Sequence, residues 1–111
     1  MKIRNDCKSG KLTLRLMGEM DHHCAGRAMD TISNLIDEHM PHDCIIDLEE
    51  LTFMDSSGIA VILRAQKQMN ETGGKAWVEN PRGQPLRVLD ASGVDRIIGI
   101  HGAVRQQEGN T

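Results

Sequence analysis

The sequence predicts an α/β domain with a mixed sheet of four to five strands, an antiparallel N-terminal hairpin, parallel βαβ units and helices packed on the sheet. Three observations predict it. Leu12-Thr13-Leu14-Arg15-Leu16 alternates apolar and polar residues, the period of a half-exposed strand. Two further short apolar runs, Cys44-Ile45-Ile46-Asp47-Leu48 and Lys75-Ala76-Trp77-Val78-Glu79, read as strands. Between them lie stretches with helical spacing, each opened by a capping residue.

Taken in order, residues 2–8 are a strand candidate, and Ser9-Gly10 is a tight turn into Leu12–Leu16. Gly18-Glu19-Met20 is expected to break that second strand. Asp21 is an N-cap for a helix over about 22–39, with Ala25, Ala28, Met29, Ile32, Leu35 and Ile36 on one face and Pro41 at its end. After the strand at Cys44–Leu48, the stretch Leu51-Thr52-Phe53-Met54-Asp55-Ser56-Ser57-Gly58 leads into a helix over about 56–70. Ile59, Ile62, Ala65, Gln66 and Met69 recur there at helical spacing, and Gly73-Gly74 closes it. The strand Lys75–Glu79, the turn Asn80-Pro81-Arg82-Gly83 and a short helix from Gln84 to Ala91 follow. Ser92-Gly93 stops that helix, and Arg96–Ile100 offers a short edge strand. The domain is expected to span 1–102, with 103–111 a polar tail that is frayed or forms a short helix.

Composition narrows the function classes. The chain has 111 residues, 39% hydrophobic, with one Phe and one Trp, so the core is aliphatic with seven Met residues as filler. A net charge of −3 gives no basic face for nucleic acid. No apolar run approaches the roughly 20 residues of a membrane span, so no membrane partner is expected. Met1-Lys2-Ile3-Arg4-Asn5-Asp6 has no apolar stretch resembling a signal peptide, and the three widely spaced cysteines, Cys7, Cys24 and Cys44, read as reduced thiols. A cytoplasmic location is the expectation.

The functional signal lies in Asp55-Ser56-Ser57-Gly58, at the mouth of a helix. One residue suffices to cap the orphan N–H groups, so three candidates in a row leave a hydroxyl free, and Ser57 is the expected one. Right-handed βαβ crossovers put the turns after the strands ending near Leu16, Leu48 and Val78 on one sheet edge. Asp21-His22-His23, Asp55-Ser56-Ser57 and Asn80-Pro81-Arg82 should then be neighbours, on the edge where α/β sheets meet their ligands.

Enzyme chemistry fits poorly. Ser57 lacks the Gly-x-Ser-x-Gly elbow and a recognisable base with its orienting partner. Consecutive helical residues project about 100° apart, so His22, His23 and Cys24 do not converge on a metal. Gly58 stands alone, without a Walker pattern. No catalytic residue, metal or cofactor is assigned, and the chain is not read as an enzyme.

Phe53-Met54-Asp55-Ser56-Ser57-Gly58-Ile59 resembles the signature of the anti-sigma factor antagonists, bacterial proteins built on a single STAS domain. Gly18-Glu19-Met20-Asp21-His22-His23, Ile46-Asp47-Leu48-Glu49-Glu50-Leu51 and Ala91-Ser92-Gly93-Val94 match in the same order, and the Asp-His-His form is most similar to sporulation members. Ile59-Ala60 departs from the family's frequent Leu-Gly, and Ala103–Gln107 is only a faint counterpart of its C-terminal helix. The resemblance implies that unphosphorylated antagonist binds an anti-sigma factor that is itself a serine kinase, freeing a sigma factor. Phosphorylation at Ser57 ends this, and a serine phosphatase resets it. It implies a contact surface of Asp21, Asp55, Ser56 and Ser57, with His22, Ile59 and Arg82 as lesser members. The alternatives are a STAS subunit of a lipid-transport ABC complex and a stress-response antagonist.

Overall fold

Two hairpin strands, β1 (Lys2–Lys8) and β2 (Lys11–Met20), open the computed structural model, which describes residues 1–105. They are followed by α1 (His22–His39), β3 (Asp43–Asp47), β4 (Leu51–Met54), α2 (Ser56–Glu71), β5 (Lys75–Glu79) and α3 (Gly83–Ser92). A 3-10 turn at Val94–Arg96 and β6 (Gly99–His101) complete the order. The sheet runs β1-β2-β3-β5-β6; β1 is antiparallel to β2 and the remaining pairs are parallel.

The sequence-based expectations hold for the fold class, the hairpin, the two long helices and β5. Three differences have physical causes. First, Gly18-Glu19-Met20 extends β2 instead of ending it: Gly18 adopts φ +94°, and a register shift at Gly18/Glu19 lets the strand continue. Second, the sheet has six strands, because the chain re-enters it as β4 after only Leu48–Glu50. The lower half of β2 pairs with β3 (Leu12 with Cys44, Leu14 with Ile46), and the upper half pairs with β4 (Met20 with Met54). Third, the expected edge strand over Arg96–Ile100 is reduced to Gly99–His101, because Val94–Arg96 winds into the 3-10 turn. Residues 103–105 are extended: the Val104 amide donates to Pro81 O at 2.9 Å, and Arg105 makes a two-point ion pair with Asp90. The rest of the expected tail and the faint helix lies outside the described residues.

The core forms where the alternating face of β2 meets the helices. Leu12, Leu14 and Leu16 are buried while Lys11 and Arg15 are exposed. Ile46, Leu48 and Val78 join them, against Ala25, Ala28, Ile32 and Ile36 of α1 and Val61, Ile62, Ala65 and Met69 of α2. Each fully buried aliphatic side chain contributes about 1.5–3 kcal/mol. Burial also pushes the Cys44 thiol up to about 12, so it is an inert core residue.

α1 ends at His39 with Met40 in the left-handed conformation, and α3 ends on left-handed Gly93. Gly58, in the first turn of α2, is required for another reason: a Cβ there would lie 2.8 Å from Met54 Sδ and 3.1 Å from Met54 Cβ. Overpacking of that kind costs about 1–3 kcal/mol, against about 1 kcal/mol of helix propensity gained by alanine. Gly58→Ala should therefore destabilise the domain by about 1 kcal/mol, read by thermal denaturation; a raised melting temperature would show that Met54 yields freely.

Candidate functional site

Met20 ends β2 and Met54 ends β4, and the two are paired in parallel register. The next residue in each chain segment is an aspartate, and each aspartate caps a helix. Asp21 Oδ1 accepts from the amides of His23 (3.0 Å) and Cys24 (3.3 Å), opening α1. Asp55 Oδ1 accepts from the Ser57 amide at 2.9 Å, opening α2. The parallel register thus delivers two helix mouths side by side.

They are joined by one carboxylate. Asp55 Oδ2 accepts from the His22 amide at 3.0 Å, with His22 Nδ1 3.6 Å away, while the Asp55 amide donates to Met20 O at 3.2 Å. Asp55 therefore satisfies orphan N–H groups of both helices. The His22 and His23 rings lie 4.0 Å apart at a tilt of 41°, and the Cys24 thiol donates to Glu19 O at 3.5 Å.

Both carboxyl groups are held below their ordinary value of 3.8. For each, partial desolvation pushes upward and is outweighed by hydrogen bonds that favour the anion: His23 and Cys24 amides at Asp21, Ser57 and His22 amides at Asp55. The positive ends of two helix dipoles act in the same sense.

Asp55 fills the cap, so neither serine is needed as the capping residue, although the Ser57 side chain also contributes to holding the Asp55 carboxyl down. Ser56 is exposed and Ser57 half-buried on the first turn. Ile59 is half-buried and packs on the core, so only part of it faces outward. Phe53, 38% exposed on β4, is the large apolar side chain that the motif presents to solvent. Asp21, His22, Asp55, Ser56 and Ser57 thus form one cluster. Arg82 precedes α3 and lines a groove with Glu49, Leu51 and Thr52, and no hydrogen bond or ion pair among the described residues joins it to the aspartates.

Sequence reasoning passes over Gln84. Its carboxamide accepts from the Met54 amide and donates to the Met54 carbonyl, both at 2.9 Å, immediately before the cap. No periodicity signals such a bond, since it joins positions 30 residues apart.

Comparison with known proteins accords with this geometry. A family model described as the STAS domain matches residues 1–107. The chain belongs to the STAS domain family. A curated relative, the anti-sigma F factor antagonist of Paenibacillus polymyxa, is 34% identical over 91% of this chain and 86% of its own length. The anti-sigma-B factor antagonist of Bacillus subtilis is 28% identical over 90% of this chain and 92% of its own. Among solved structures, the anti-sigma factor antagonist SpoIIAA in its unphosphorylated form shares the fold with a TM-score of 0.76, at 24% identity over 98% of this chain and 93% of that one. Its phosphorylated form superposes with a TM-score of 0.68, at 24% identity over 98% of this chain and 96% of that one.

A carboxyl whose folded pKa is depressed stabilises the fold fully above its ordinary value and loses that contribution as pH falls through the lowered one. Asp55→Asn keeps one of the two accepting oxygens and replaces the other, together with the charge, by an NH2 donor. It should lower the melting temperature by a few degrees at pH 7. The gap to wild type should close as the pH falls from 3.8 through the folded value. A gap independent of pH would show that the charge on Asp55 does not hold the two mouths.

Proposed function

We propose that this protein is an anti-sigma factor antagonist of the sporulation type, switched by phosphorylation at Ser57. The supporting observation is that Asp55, not a serine, fills the cap and ties the two helix mouths together, so neither serine is required as the capping residue. The choice of Ser57 over the more exposed Ser56 follows the resemblance to the family signature. In this reading the unphosphorylated protein acts in the cytoplasm, docking Asp21, His22, Asp55, Ser56, Ser57 and the outer part of Ile59 on a serine-kinase anti-sigma factor. The sigma factor is thereby released, and a serine phosphatase reverses the modification. Arg82 is a lesser contact, in the groove beside β4.

Charge makes the switch work without a change of fold. A phosphoserine carries about −1.5 to −2 charges at pH 7, and in the first turn of α2 it meets the positive end of the helix dipole. The isolated fold tolerates it. An interface that covers a neutral hydroxyl does not, because a buried dianion without a cation costs several kcal/mol, and about 3–4 kcal/mol already weakens binding some hundreds-fold. Asp21 and Asp55 add to the repulsion.

A stress-response role is the second reading, favoured by the relative named an anti-sigma-B factor antagonist. The higher identity to the anti-sigma F factor antagonist, 34% against 28%, supports the sporulation type.

Incubation with ATP and a cognate kinase should add one phosphate to the wild type and to Ser56→Ala, and none to Ser57→Ala, by mass spectrometry. Ser57→Ala should bind the kinase as the wild type does, while phosphorylated protein binds some hundreds-fold more weakly. Phosphate on another residue, or equal affinities, would end the proposal.

A further inference from the structure

Parallel strand β4 gives one edge to β2 and has another beside α3. Along that second edge the backbone N–H and C=O of Met54 point away from β2, and Met54 is fully buried, so both groups need partners inside the protein. The partner is a side chain. Gln84, in the first turn of α3, accepts from the Met54 amide and donates to its carbonyl, each at 2.9 Å. A primary carboxamide carries a donor and an acceptor in one plane, as a peptide unit does, so Gln84 stands in for one residue of a neighbouring strand. Glutamate could supply only the acceptor, and methionine neither.

Met54 reaches the helix mouth by two routes. By the main chain it is the residue before Asp55, whose carboxylate holds Ser57 N–H and His22 N–H. By its side chain it lies under Gly58, with Sδ where a Cβ would approach to 2.8 Å. Fixing Met54 therefore fixes the cap from below and from behind. We infer that Gln84 is a positioning residue for the phosphoacceptor mouth: by clamping both backbone groups of Met54, it sets where Asp55 and Ser57 stand. A residue 27 positions beyond Ser57, on a different helix, thereby takes part in presenting its hydroxyl. The consequence for phosphorylation rests on the reading of Ser57 as the acceptor; the consequence for the cap does not.

The test compares wild type with Gln84→Met, which keeps the volume and removes both hydrogen bonds, and with Gln84→Glu, which keeps the acceptor. Amide exchange at Met54, Asp55 and Ser57 should be about tenfold faster in Gln84→Met, and at least as fast in Gln84→Glu, whose second carboxylate oxygen would oppose the Met54 carbonyl. The Asp55 carboxyl, followed by NMR titration, should move up toward 3.8 as its two amide donors lose alignment. The kcat/KM of the kinase for the protein should fall about tenfold, mainly through kcat, as expected for a misplaced acceptor. Faster exchange confined to Met54, with Asp55 titrating as in the wild type, would overturn the inference and leave Gln84 as edge protection only. A moved Asp55 titration with unchanged phosphorylation would uphold the positioning and instead count against Ser57 as the acceptor. If the variants do not fold, the wild type decides: slow exchange of the Gln84 carboxamide protons supports the clamp, and exchange at the free-amide rate refutes it.

Discussion

The parallel pairing of Met20 with Met54 is the constraint on which the site depends. It ends two strands at the same height, so the residue after each must turn into a helix at the same place. Two helix mouths in contact present several orphan N–H groups and two positive dipole ends to one small volume. Asp21 and Asp55 answer both needs, and the lowered pKa of each carboxyl is the electrostatic counterpart of that geometry. Of the two aspartates, Asp55 bridges the helix mouths, through Ser57 on one side and His22 on the other.

Much of this is visible in the sequence, where local chemistry decides. Asp21 and Asp55 are capping residues ahead of helical periodicity, and the helices begin at His22 and Ser56. Leu12–Leu16 alternates, and it forms part of a strand with one face buried. Non-local features stay hidden. β4 is four residues long and begins four residues after β3 ends, so its pattern merges with the preceding strand until β2 is seen to accept both. Gly18 reads as a breaker by propensity, yet its positive φ lets β2 bend and reach β4. Of the expected site, the Asp21–His22 and Asp55–Ser57 pieces meet because each adjoins a strand end fixed by this pairing. Arg82 belongs to the turn after β5 and lines a groove with Glu49, Leu51 and Thr52. Gln84 is illegible for the same reason that makes it effective, because one side chain takes the place of a whole strand.

A hydroxyl flanked by Asp55 and Asp21 is a poor nucleophile by itself: the carboxylates are already engaged by backbone amides, and their depressed pKa values make them weak bases. The same placement suits a substrate of another enzyme. The Ser57 hydroxyl is carried on a helix turn whose backbone is held by the Asp55 cap. Under the proposed switch, the anionic surroundings heighten the contrast between the neutral and phosphorylated surfaces.

The clamp of Met54 by Gln84 also bears on the timing of recognition. A surface whose backbone donors and acceptors are satisfied before a partner arrives loses little conformational entropy on docking. In the proposed complex such a pre-organised mouth docks without loop rearrangement. Under the proposed switch, a mouth held this way changes in charge and not in shape.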